Sequence, residues 1–239
     1  MSDELVPWPG RGRRYIHRAH VRLADAAPSG RARFDAIARW LQDAAQADVD
    51  DAGVTGSGAW VVRRNRVAVV RFPRFGEALE LATFVSGWGR MWAERRTTIS
   101  GDGGGRVESA ALWVHVDPRT GRPLPLGADF ERLYLPSTAG RRVKARLQHG
   151  DPPAAAARQP WHFRRADLDV AGHVNNAAYW SVVEEVEPDP PEPAAAEVEF
   201  RAGAPAGKAE LIGGDGAWWV AAGPGGEIAA SLRLSVVTA

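Results

Sequence analysis

What most limits how this chain can fold is an order of segments that occurs twice. Over residues 60–117 apolar residues tend to alternate with polar ones, in "WVVRRNRVAVVRF", "ALELATFVSG", "RMWAERRTTIS" and "RVESAALWVHVD". A period of two turns one side to a core and the other to solvent, so each segment reads as a strand. "PRFGE", "GWG" and "GDGGG" separate them, and the last two are strong turn signals. Ahead of them residues 15–23, "YIHRAHVRL", read as a strand. "RARFDAIARWLQDAAQADVDDAG" then places Phe34, Ile37, Ala38, Leu41 and Ala45 on one helical face, with Ser29 as its expected N-cap and Gly53 just past its end. One strand, one long helix and a run of antiparallel strands is an α+β pattern.

After a proline-rich connector at 123–160 the order begins again. Residues 161–169 read as a strand, 175–187 as a short helix, and "AEVEFRAGAP", "GKAELIGG", "AWWVAAG" and "EIAASLRLSVV" as strands. Laying "VRLADAAPSGRARF" over "RRADLDVAGHVNNA" puts Gly30 opposite Gly172, and two further segment pairs follow in the same order. The chain reads as a tandem duplication of one α+β unit, with halves at 1–135 and 161–239 and a linker at 136–160. The overlay also places Ala27 opposite Asp169 and Arg31 opposite His173. Only the second copy therefore carries an acid and a histidine at this turn.

Composition narrows the function classes. A net charge of +1 gives no global case for nucleic acid or membrane as partner. Cysteine is absent, which removes disulfides, thiolate metal sites and a cysteine nucleophile together. His17, His20, His115, His149 and His162 form no metal-ligand spacing, and no metal or cofactor is expected. No signal-peptide core or membrane-length apolar run is seen, so the expected compartment is the cytoplasm.

The stretch "DLDVAGHVNNAAYW", residues 167–180, gathers the groups with most chemistry. Gly172 lets the backbone turn, Asn175 or Asn176 can cap the following helix, and the first amides of that helix point outward with partial positive charge. Asp169 before the turn and His173 at its exit can face one oxygen. Acid, imidazole and amide donors together suit hydrolysis of an activated acyl group. The same residues also serve as ordinary turn and cap chemistry, and spacing leaves both readings open.

This stretch resembles the signature of the fatty acyl-acyl carrier protein thioesterases, approximately D-x-D-x-N-x-H-V-N-N-x-x-Y. The likeness extends over most of the chain, through the W-x-x-R-R opening at Trp60 and the tryptophan-rich hairpin to "ALWVHVDPRTGRPLPL". It implies a double hotdog, each half an antiparallel sheet wrapped around a long helix, and hydrolysis of acyl-acyl carrier protein or acyl-CoA thioesters. Within it Asp169 and His173 match the catalytic pair, with Asn175 and Asn176 assisting. Trp60, Arg63, Arg64 and Val174 are expected to contact substrate, the arginines by receiving phosphopantetheine or an acidic carrier.

Two positions depart from the family pattern. Ala171 stands where an asparagine is usual, and "EFRAGA" puts Gly203 and Ala204 where glutamate and cysteine are usual. The expected mechanism is direct attack of water activated by Asp169 and His173, with amides near residues 174–176 binding the oxyanion; an acyl-Asp169 intermediate is the variant. The rival reading is a degenerate hotdog protein that binds acyl chains or carrier protein without appreciable hydrolysis. A hydratase fits less well, because the order G-D-x-N-P-x-H is missing. "GWGRMW" and "AWWV" are either acyl-tunnel walls or plain core. Duplication pairs two hotdog units within one chain, so both a monomer and a homodimer are compatible with it.

Overall fold

In the computed structural model, which describes residues 5–54 and 58–236, the alternating segments form ten strands of one antiparallel sheet. The first half holds β1 (Tyr15–His20), α1 (Phe34–Ala52), β2 (Ala59–Arg71), β3 (Ala78–Trp88), β4 (Trp92–Gly101) and β5 (Arg106–Val116). The second holds β6 (Arg158–Phe163), a 3-10 segment (Asn176–Trp180) running into α3 (Ser181–Val186), then β7 (Ala194–Phe200), β8 (Gly207–Gly214), β9 (Ala217–Ala222) and β10 (Glu227–Val236). A further helix, α2 (Ala128–Tyr134), closes the first half.

The strand order is β1-β3-β4-β5-β2-β7-β10-β9-β8-β6. With β6 to β10 as counterparts of β1 to β5, the second half repeats the order of the first in reverse, so the two units meet edge to edge at β2 and β7. That seam runs from Arg64 opposite Glu199 to Val69 opposite Ala194. Arg64 and Arg66 face Glu199 and Glu197 across it, opposite charges on paired strands. The outermost strands, β1 and β6, have six residues each, and β6 contains Pro160.

The duplicated turn is visible bond by bond. The amide of Ala27 donates to the Arg31 carbonyl at 2.8 Å, and the amide of Asp169 donates to the His173 carbonyl at 2.9 Å. Gly30 and Gly172 close both turns at φ 80° and 76°, where a Cβ would be strained. Beyond the turn the copies diverge. The chain stays extended through Arg33, because Arg31 and Ala32 bridge to Arg74 and Ala26. Hence α1 starts at Phe34 and Ser29 is not its N-cap. Gly53 does end it, in the left-handed conformation. In the second copy the helix amounts to one 3-10 turn and the six residues of α3, and Pro188 then prevents its continuation. The strand expected at 161–169 stops at Phe163, and the one expected at 15–23 stops at His20, each giving way to a short 3-10 turn.

The halves are tied at α1. Arg31, 4% exposed, donates to both carboxylate oxygens of Glu184 at 3.2 and 2.8 Å and to the Pro188 carbonyl at 2.6 Å. The same carboxylate accepts the amide of Phe34 at 2.7 Å, capping the first turn of α1 from the opposite half. Phe34 itself stacks on Trp180 at 6.0 Å and meets Phe72 edge-on at 5.5 Å.

The connector is fastened over the sheet. Val143 donates to Trp88, the amides of Gln148 and His149 donate to Glu199, and Trp219 donates through its indole to Gly150. His149, 5% exposed, also bonds Ser231 and Glu197 through its two ring nitrogens. Since Glu197 and Glu199 alternate with buried Val198, the connector crosses the face opposite α1. Of the tryptophans of "AWWV", Trp219 holds the connector and Trp218 packs against the main core on the other face; neither lines the clefts described below. Among the described residues no helix is long and apolar enough to cross a membrane.

Two stability effects are expected. Glu184→Ala strands the buried Arg31 guanidinium and uncaps α1, and urea titration should show a loss of about 3 kcal/mol. Tyr179 packs against Phe163 and Phe200 with its hydroxyl buried and unpartnered, and burial pushes that phenol up to about 12. Tyr179→Phe should therefore gain about 1 kcal/mol. Wild type should lose more stability than the variant from about pH 10 upward, where the unfolded Tyr179 phenol ionises and the folded one does not; the buried Tyr134, whose phenol is also raised by burial, contributes equally to both. Thermal melts of both proteins from neutral to alkaline pH check this.

Candidate active site

The residues of the second turn are held by their main chain. The Val174 amide donates to the Ala204 carbonyl at 2.8 Å and the Asn175 amide to the Asp167 carbonyl at 2.8 Å. The Asn175 side chain caps the 3-10 segment by accepting from the Ala177 amide at 2.8 Å. This corrects the expectation that amides of 174–176 jointly bind an oxyanion. Two are engaged with carbonyls, and Asn175 spends its side-chain oxygen on the cap. Asn176 differs: neither its amide nor its side chain has a partner among the described residues. Asp169 accepts the Ala171 amide on Oδ1 at 2.9 Å, an Asx turn that fixes the carboxylate and leaves Oδ2 without a partner among the described residues.

Two clefts meet at this turn. One, of about 590 Å³, runs between α1 and the sheet, past Ala45, Val49, Trp60, Val85, Trp113 and Phe130. The other, a groove of about 700 Å³, passes Met91, Trp92 and Val114 and has His173 and Gly203 at its wall. Trp60, Asp169 and Asn176 line both. Two largely apolar clefts joined at an acid and the amide groups of Asn176 can hold an acyl chain on one side and its carrier arm on the other.

His173 is exposed and lies against the backbone of Gly203, where a Cβ would sit 3.0 Å from the imidazole. The missing family glutamate is thus coupled to the position of the histidine: a side chain at 203 would press on the ring. The loop carrying Gly203 is held by Arg63, which donates to the carbonyls of Phe200 and Arg201 at 2.8 and 3.1 Å. Arg63 is therefore engaged in positioning this loop. Arg64 sits 3.9 Å from Glu197 and, with Glu94 and Arg141, lines a separate small pocket away from Asp169. Val174 touches the groove, but it is only 4% exposed and belongs to the core.

Sequence reasoning missed several lining residues. Val49 and Phe130 belong to helix faces, and Phe130 sits in a helix not anticipated in the connector. Tyr179 lines the groove, and the Y of the motif was its signal. Arg95 lines the cleft along α1 while donating to Asp48 at 2.6 Å and to Thr83 at 3.2 Å; as one of a run of strand arginines, it gave no sign of facing inward.

Comparison with known proteins agrees with this geometry. Residues 12–134 match the acyl-ACP thioesterase N-terminal domain, and 150–201 the acyl-ACP thioesterase C-terminal domain. A Mycobacterium tuberculosis protein is 28% identical over 185 residues, covering 76% of this chain and 73% of its own. The chloroplastic oleoyl-acyl carrier protein thioesterase 1 of Arabidopsis thaliana is 25% identical over 195 residues, 70% of this chain and 53% of the plant protein. The 12:0-ACP thioesterase from Umbellularia californica, 22% identical, superposes with a TM-score of 0.75 over 93% of this chain and 96% of its own, and shares the fold. From the paired domain matches and the double hotdog that carries them, the chain belongs to the acyl-ACP thioesterase family of thioester hydrolases.

Proposed function

We propose that this protein hydrolyses fatty acyl thioesters carried on acyl carrier protein, with the acyl chain in the cleft along α1 and the phosphopantetheine arm in the groove. The observation that carries the reading is the junction of the two clefts at Asp169 and Asn176. The second half, 161–239, supplies the reacting groups, and the first, 1–135, supplies most of the acyl wall.

Asp169 is the general base. Its fixed carboxylate takes a proton from water as the water oxygen attacks the thioester carbonyl. Charge developing on that oxygen meets the unpaired amide and side-chain amide of Asn176, which stand in for the donors engaged at 174 and 175. Collapse of the tetrahedral adduct breaks the carbon–sulfur bond, the proton held by Asp169 passes by way of His173 to the departing thiolate, and both groups return to their starting states. Trp60 lines both clefts at the junction. Along the linker, Arg142, Lys144 and Arg146 are exposed while Ala145 lines the groove, so a basic stripe flanks the entrance for an acidic carrier. This stripe takes the place of Arg63 and Arg64 as the proposed docking element.

A second reading, acyl binding with little turnover, is favoured by one observation: the His173 imidazole has no hydrogen-bond partner among the described residues. Thiol release separates the two. Asp169→Asn and His173→Ala should each lower kcat by about a hundredfold or more with folding intact. A wild type no faster than these variants on every acyl length would leave only the binding reading. Reversing charge at Lys144 and Arg146 should raise KM for acyl-acyl carrier protein roughly tenfold at low salt and leave short acyl thioesters of small thiols unaffected. Equal effects on both substrates would remove the linker stripe from carrier recognition.

A further inference from the structure

Beside the acyl cleft, between α1 and the centre of the sheet, lies a void of about 20 Å³. That is room for one water or one substituent oxygen. Leu41, Val62 and Phe200 form part of its wall, yet Gln42, Asn65, Trp113 and Asn176 also reach it. These polar groups are incompletely satisfied. Asn65 accepts from Ser109 Oγ at 3.0 Å, and its amide nitrogen has no partner among the described residues. The side chains of Gln42 and Asn176 have none either. The indole nitrogen of Trp113 is buried and unpartnered.

The location gives these groups their meaning. Gln42, Trp113 and Asn176 line both the void and the cleft, and Asn176 also lines the groove. The void therefore opens beside the reacting end of the cleft. Arg95, which borders it as well, is held by Asp48 and Thr83. A plain hydrocarbon chain laid past this spot desolvates the polar groups without replacing their lost hydrogen bonds, which is costly. A chain bearing oxygen near its thioester supplies the missing partner.

We propose that this void is a subsite for a hydroxyl or keto oxygen on the β carbon of the acyl chain, so that the preferred substrates are β-oxygenated acyl thioesters. The proposal rests on the thioesterase reading and adds a substrate class to it. Trp113 and Asn65 donate to the oxygen, and the side-chain carbonyl of Gln42 or Asn176 accepts from a hydroxyl. Sites that hydrogen-bond a substrate oxygen discriminate strongly against analogues lacking it, because their own buried groups are then left unpaired.

The test compares β-hydroxy, β-keto and unsubstituted octanoyl thioesters on the same carrier. Wild type should favour at least one oxygenated substrate by roughly tenfold or more in kcat/KM. Trp113→Phe, which keeps an aromatic ring and removes the N–H, should shrink that ratio several-fold whatever the absolute rate. If that variant does not fold, Gln42→Leu on the half-buried face of α1 is read in its place. Calorimetric binding of the three thioesters to Asp169→Asn supplies a readout independent of turnover. If no thioester is hydrolysed but the oxygenated ones bind tighter and lose this advantage in Trp113→Phe, the subsite stands and the hydrolase reading falls. Equal or better handling of the unsubstituted chain, or a ratio unchanged in the variant, means that the void holds only a structural water, and the proposal is overturned.

Discussion

The pairing of β2 with β7 is the interaction on which the remaining architecture depends. Each strand is the inner edge of its own half, and neither has another neighbour on that side except its counterpart. Joining them brings the long α1 of the first half over the turn of the second. It also sets Glu197 and Glu199 where they can bind the connector on the opposite face. The clefts are a product of the same seam, since α1, Trp60 and Trp113 come from one half and Asp169 and Asn176 from the other. Neither half alone walls either of the two clefts.

Duplication followed by divergence accounts for the asymmetry of the two turns. At equivalent places the first copy has Ala27 and Arg31 and the second Asp169 and His173, on the same backbone bonds. Arg31 is turned inward to Glu184 and serves to lock the halves together. His173 is turned outward to the groove. The helices that follow diverged in the same sense. The first is long and capped by its neighbour's carboxylate; the second is cut short by proline, which leaves its opening residues at the mouth of the clefts.

Much of this was legible in the chain itself. Period-two alternation located most of the strands, and the glycine pair at 30 and 172 set the register of the overlay correctly. The same motif and likeness pointed to the family. What could not be read were the places where tertiary contacts decide. Ser29 looked like a cap, but bridges from Arg31 and Ala32 keep the backbone extended past it. Arg63 looked like a surface cation, yet its reach to two carbonyls depends on a strand 137 residues away. The amides of Val174 and Asn175 were available by sequence and are used up by carbonyls of Ala204 and Asp167. Asn65 and Trp113 sit in strands that read as uniform, and only the packing of α1 across them turns them into the lining of a void.

The short outer strands carry a consequence for how this sheet meets its surroundings. A sheet of ten strands ends in two rows of unsatisfied backbone groups, which invite other chains to add on. Here the long inner edges are consumed within the molecule, and what is left outside is six residues at each end. One end carries His17, Arg18 and His20 among its six residues, and the other carries a proline that removes a donor from the ladder. Growth by edge addition is thereby discouraged at both ends, so the sheet can be long at its centre and open at its margins without inviting a neighbour.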